Sequence, residues 1–203
     1  MIIKSFVEPP IENNNYLIID EDSKEAALID CSFYDESILI ELKRYNAVLK
    51  YILLTHGHFD HISGLNYFSH EIKVLMHEND KEWIEQVNTY LPMLNMPTMN
   101  IPKIDEYIND NDIIKLGNIE IKVIHTPGHT QGGVCFYVAE NLFSGDTIFR
   151  ESVGRCDLPG GNFSQIVESI ENKIFTLPEN TIIYPGHGKT TSVGWEKEHN
   201  NYL

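Results

Sequence analysis

The chain has 203 residues, 42% of them hydrophobic and 22% charged, with a formal net charge of −15. That composition fits one folded domain over residues 1–203 and excludes a disordered profile. So acidic a chain repels phosphate backbones and anionic membrane surfaces, which leaves a small molecule as the expected partner and nucleic acid and membrane as unexpected ones.

No apolar run approaches the ~18 residues of a membrane span, and Met1–Pro10 lacks the basic-then-apolar order of a signal peptide. Cys31, Cys135 and Cys156 stand far apart, which argues against a disulfide framework and a paired-cysteine zinc site. A reducing cytoplasm is the expected location. Composition says nothing of oligomeric state.

The first thirty residues read as β-structure. Tyr16-Leu17-Ile18-Ile19 and Ala26-Ala27-Leu28-Ile29 flank the polar stretch Asp20–Lys24, which predicts a hairpin. Ile38, Leu42 and Tyr45 fall at i, i+4 and i+7, the spacing of an amphipathic helix. Tyr51-Ile52-Leu53-Leu54 is a continuous apolar run, as expected of a strand covered on both faces. It leads directly into Thr55-His56-Gly57-His58. Tyr90–Lys103 carries Pro92, Pro97 and Pro102, which exclude a regular helix, together with Met93, Met96 and Met99. That segment is expected to be a surface crossover or an adaptable apolar lid.

Ile113–Ile124, broken by Gly117-Asn118, predicts a second hairpin. Val134–Val138 and Leu142-Phe143 predict a further pair of strands. Ile166, Ile170 and Ile174 mark a helix stopped by Pro178, and Thr181–Tyr184 a last strand that opens onto Pro185-Gly186-His187-Gly188. The two halves share a rhythm of strands, helix, strand and loop. Two packed sheets with helices outside would satisfy it.

The chemistry concentrates at four strand ends. Thr55–His61 reads T-H-G-H-F-D-H, four candidate ligands in six positions. A helix would space such residues three or four apart. His56 and His58 at i, i+2 need a turn, which Gly57 makes easy. Imidazole and carboxylate suit the same borderline divalent metals. Thr126-Pro127-Gly128-His129, Ser144-Gly145-Asp146 and Pro185-Gly186-His187 each add one ligand type after a strand.

This set, HxHxDH followed by His, Asp and His, resembles the metallo-β-lactamase superfamily over almost the whole chain. The resemblance implies an α/β fold, the αββα sandwich of two mixed sheets with helices on the outer faces. It also implies two divalent ions, zinc first, with iron or manganese as alternatives. His56, His58 and His129 match the first metal site, Asp60, His61 and His187 the second, and Asp146 the bridging carboxylate. S-V-G-R-C-D-L-P-G-G at Ser152–Gly161, and the final G-W-E-K-E-H-N-N-Y-L, resemble the short branch of the hydroxyacylglutathione hydrolases, or glyoxalase II. The helical C-terminal extension that holds glutathione in longer members is not expected here.

What the resemblance implies is hydrolysis of a thiolester by a metal-bound hydroxide, with Asp60 and Asp146 in catalytic roles. A thiol of pKa ~8.5 departs as thiolate with little acid assistance, so no separate general acid is needed. Arg155 is expected either to clamp a substrate carboxylate or to form a surface salt bridge. The alternatives are a mononuclear iron persulfide dioxygenase, which would use His56, His129 and Asp146, and a lactonase. His70, His77, His125 and His199 are expected to be structural, with His125 the candidate for a supporting role behind the metals. Cys156 reads as an incidental thiol, and Trp83 and Trp195 as packing residues.

Overall fold

Strands with unbroken apolar runs need cover on both faces, and this chain provides it. In a computed structural model describing residues 1–8, 11–32, 36–68 and 71–203, two six-stranded sheets pack face to face. The first holds β1 (Ile2–Glu8), β2 (Asn13–Ile19), β3 (Glu25–Ile29), β4 (Val48–Leu53), β5 (Lys73–His77) and β6 (Glu106–Ile108), side by side in that order. The second holds β7 (Ile113–Leu116), β8 (Ile119–His125), β9 (Val134–Val138) and β10 (Asn141–Gly145). A small ribbon follows, β11 (Ile148–Phe149) paired with β12 (Ser152–Val153). The chain then returns to the second sheet as β13 (Ile182–Pro185) and β14 (Thr191–Ser192), in the order β14-β13-β10-β9-β8-β7.

Alternate residues of one strand serve different cores. Leu17, Ile19, Leu28, Ile52 and Leu54 pack outward against Ile38 and Leu42 of α1 (Glu36–Tyr45). Tyr16, Ile18, Ala27, Ile29 and Leu53 pack inward against Ile121, Val123, Phe136 and Phe143 of the other sheet. On the far side, Cys135, Leu142 and Ile183 meet Ile166, Ile170, Ile174 and Val193. The layers are therefore α, β, β, α. Each fully buried aliphatic side chain contributes roughly 1.5–3 kcal/mol.

The remaining helices are short. They are α2 (Phe59–Ile62), α3 (Lys81–Glu85), α4 (Val87–Tyr90), α5 (Phe163–Ser169) and α6 (Val193–His199). The predicted stripe of Ile166, Ile170 and Ile174 is fully buried, but the helix widens into a π-turn at Ile170–Ile174. In the Tyr90–Lys103 segment, a 3₁₀ turn at Leu91–Leu94 ends on Asn95 in left-handed conformation. Leu91 is buried, while Met93 and Leu94 are 77% and 54% exposed. Met96 and Met99 pack on the outer core, so this segment is anchored at two points. Among the described residues no helix is long and apolar enough to cross a membrane.

One contact locks the two sheets together at their far end. Asp20, in the turn after β2, accepts from Asn118 N, in the turn after β7, at 2.8 Å. Gly117 there has φ +58° and no room for a Cβ, which would fall 2.3 Å from Asp20 Oδ2. Gly117-Asn118 is the predicted two-residue turn, with Leu116 opposite Ile119.

Candidate metal centre

β3, β4 and β5 run parallel in one sheet, and β8, β10 and β13 point one way in the other. Their C-terminal ends therefore deliver the loops carrying His56 to His61, His129, Asp146 and His187 to one edge of the sandwich. The seven residues meet there in three overlapping groups, whose ligand atoms lie within 4.8 Å of one another. One holds His56, His58 and His129, one holds Asp60, His61 and His187, and one joins His56, His61 and Asp146. Asp146 stands between the triads. Its Oδ1 is 3.4 Å from His61 Nε2, and its Oδ2 is 3.6 Å from His129 Nε2 and 3.7 Å from His187 Nε2. Asp60 Oδ2 is 3.3 Å from His187 Nε2 and 3.7 Å from His61 Nε2.

The imidazoles are oriented from behind. His129 Nδ1 donates to the Arg155 carbonyl at 2.7 Å, which turns Nε2 toward His58 Nδ1 at 2.9 Å. Arg155 thus enters the site through its backbone. Its guanidinium is bound on Nε and Nη2 to the Asp157 carboxylate, both at 2.8 Å, at the rim of the cleft. His61 Nδ1 donates to Asp30 Oδ2 at 2.7 Å, and its Nε2 faces Asn13 Nδ2 at 2.8 Å. Asp80, fully buried, accepts from Gly57 N at 2.9 Å, Thr130 Oγ1 at 2.8 Å and Gly132 N at 2.6 Å. It thereby joins the first ligand loop to the loop after β8.

Gly57 is needed for closeness rather than for a turn. Among the described residues it is absent from those with positive φ, and a Cβ on it would fall 2.9 Å from Trp83 Cβ and 3.0 Å from the Asp80 carbonyl.

Burial pushes the His56 imidazole well below its usual range, helped by repulsion between its charged form and the neighbouring imidazoles His61 and His58. Burial and His129 likewise hold His58 down, to about 3. Both are therefore neutral near pH 7. Burial opposes ionisation of Asp146, yet His61, His129 and His187 outweigh it and hold the carboxyl below the usual range. His56 Nε2 and Asp146 Oδ1 are buried without a hydrogen-bond partner. An unmet buried polar atom costs ~1–3 kcal/mol, and a divalent cation would meet both. A site of imidazoles and ionised carboxylates, in two triads around one shared carboxylate, is suited to two metal ions.

The sequence signature of the metallo-beta-lactamase superfamily matches residues 9–187. The chain belongs to the metallo-β-lactamase superfamily. Within the superfamily it is 32% identical to "Hydroxyacylglutathione hydrolase GloC" of Haemophilus influenzae, over 93% of this chain and 92% of that protein. It is 34% identical to "Probable metallo-hydrolase YqgX" of Bacillus subtilis, over 96% and 93%. Among solved superfamily structures it is similar to BLEG-1 B3 metallo-beta-lactamase, with a TM-score of 0.89, 35% identity and 100% and 99% coverage. It is also similar to TTHA1623 in a di-iron-bound form, with a TM-score of 0.87, 30% identity and 98% and 100% coverage. The superfamily fold, two mixed sheets between helices, is the one observed.

Several supporting residues carry no motif. Asp30 is a single acid in a loop, and Asp80 one at the end of the 3₁₀ turn Glu78–Asp80. Asn14 Nδ2 bridges the carbonyls of Pro185 and Gly188 around His187, both at 2.9 Å. The run Asn13-Asn14-Asn15, three amides in a fully buried strand, was the available signal. Trp83, expected to be a packing residue, packs its ring 4.4 Å from that of His58 and also lines the cleft. His125 stacks on His77 at 4.1 Å and lies outside the ligand groups, as does Cys156. His199 stacks on Trp195 at the surface. His70 lies outside the described residues.

Proposed function

We propose that this protein is a dinuclear metal-dependent thiolester hydrolase. His56, His58 and His129 would hold one ion, Asp60, His61 and His187 the other, and Asp146 would touch both. The observation that carries the reading is the assembly of both triads around the single Asp146 carboxylate. Divalent ions there, zinc foremost and iron or manganese as alternatives, would supply water activated near neutral pH and an electrophile for the substrate carbonyl.

The chain's own groups do the rest. Asp30 and the Arg155 carbonyl hold His61 and His129 in the tautomers that present Nε2 to the centre. Asp60, whose Oδ2 lies 3.3 Å from His187 Nε2, would accept a hydrogen bond from water at the centre and so orient it. Tyr90 donates to the Trp83 carbonyl at 3.2 Å, and burial pushes its phenol up, so it is not poised to protonate an amine leaving group. A thiolate of ordinary pKa ~8.5 leaves without such help. The name of the relative GloC supports the same substrate class. A mononuclear iron reading on His56, His129 and Asp146 would leave His58, Asp60, His61 and His187 without a task.

Thiol release from S-lactoylglutathione by zinc-loaded protein tests this reading, with oxygen uptake followed in parallel. The expected result is thiol release that stops on chelation, returns with metal, and is lost in His58→Ala. Oxygen consumption on a persulfide without thiolester turnover would overturn it.

A further inference from the structure

A cleft of about 950 Å³ opens over the Asp60, Asp146 and His187 side chains. That is at the upper end of the ~300–1,000 Å³ range of small-molecule sites, so it has room for much more than a two- or three-carbon acyl group. One wall comes from residues 83–94, where Trp83, Tyr90, Met93 and Leu94 face the opening. Trp83 bears on His58 and packs edge-on against Tyr90 at 5.4 Å. The ribbon of β11 and β12 and the loop after it supply Phe149 and Leu158, with the Phe149 ring 6.1 Å from that of His187. Apolar surface therefore reaches the ligating histidines from two separate stretches of chain. Met93 and Leu94 stand 77% and 54% exposed at the mouth, although large apolar side chains gain nothing from water.

Charge in the cleft points the same way. Among the described lining residues Arg155 is the one lysine or arginine, and Asp157 already occupies its guanidinium on two nitrogens. Glu82 adds a negative charge to the lining, in a chain of net charge −15. A thiol carrier with several carboxylates would find no free cation beyond the metal centre, and would first have to displace Asp157.

We propose that the cleft selects thiolesters whose acyl chain is extended and apolar and whose carrier is uncharged, with Trp83, Tyr90, Met93 and Leu94 receiving the chain. This rests on the thiolester reading above. Transfer of one methylene from water to such a surface corresponds to about a fourfold gain in affinity. The chain length of the acyl group, rather than carboxylates on the thiol, then sets kcat/KM.

The test uses zinc-loaded protein and two matched series, from acetyl to octanoyl, on N-acetylcysteamine and on glutathione. On the neutral thiol kcat/KM should climb about fourfold per methylene over the first several carbons. Each glutathione conjugate should fall at least tenfold below its neutral partner. The double variant M93S/L94S, altered only at exposed positions, should flatten the climb. Asp157→Asn, which frees Arg155, should raise kcat/KM for the glutathione series several-fold. A flat chain-length profile, or preference for glutathione conjugates at every length, would overturn the proposal.

Binding of the unreactive S-alkyl thioethers of N-acetylcysteamine, followed by calorimetry, separates the two readings. Affinity that climbs with chain length while no thiolester turns over would uphold the apolar cleft and discard thiolester hydrolysis. Affinity independent of chain length would discard the apolar cleft whatever the enzyme hydrolyses.

Discussion

Asp30 Oδ2 lies 2.7 Å from His61 Nδ1, and both side chains are almost wholly buried. The same carboxylate accepts from Thr55 N and Thr55 Oγ1 at 2.8 Å each, so it is fixed from the strand that carries the first ligand loop. A carboxylate behind a ligating imidazole sets the tautomer and raises the basicity of the other nitrogen. Asp30→Asn keeps the shape but weakens both effects. Metal affinity at the Asp60–His61–His187 triad should fall about 10–100-fold, measured by competition with a chelator of known affinity. Affinity unchanged from wild type would remove Asp30 from the metal centre.

Asp80 acts on two loops at once. Replacing it with Ala strands the donors Gly57 N, Gly132 N and Thr130 Oγ1, each worth ~1–3 kcal/mol when unmet. Burial pushes the Asp80 carboxyl up, so losing that charge recovers part of the cost. The expected net loss is about 2–4 kcal/mol, a fall in Tm of roughly 4–16 °C for a chain this long. Thermal unfolding of the metal-free protein reads it directly. A fall below a degree would mean that water or rearranged loops meet those donors.

How much of this was legible beforehand follows from the physics of each part. The hairpin of β2 and β3, the strand β4 and the hairpin of β7 and β8 were readable because covered faces force unbroken apolar runs and Gly117-Asn118 forces a turn. The seven candidate ligands were readable because they cluster in a few short loops. Asp30 and Asp80 were not, because their partners lie 25–31 and 23–52 residues away and only the folded chain brings them together. The strands β5 and β6 and the helix α6 were also missed. They are only 3–7 residues long, too short to show a period. The helix at Ile166 was legible, but its π-turn was not, since a 3.6-residue period carries no sign of one added residue.

Asp20 offers a test of the inter-sheet lock. Backbone and side-chain donors at Asn118, Ser23 and Asp22 hold its carboxyl down, at about 2 in the folded chain. The unfolded value is ~3.9. A carboxyl depressed by folding contributes stability that is fully present above about pH 4 and is lost as pH falls through about 2. Asp20→Asn cannot titrate. Its stability deficit relative to wild type, measured by urea unfolding, should therefore be largest at pH 5 and shrink toward pH 2. A deficit that stays constant across that range would show that the charge plays no part in the lock.

The central claim is a centre of two metals held by two triads around Asp146. Elemental analysis of the zinc-saturated protein after removal of free metal tests it most directly, for wild type and for His187→Ala. The account predicts two ions per chain in the wild type and about one in the variant. A single ion in the wild type, unchanged by His187→Ala, would contradict it and return the site to mononuclear chemistry.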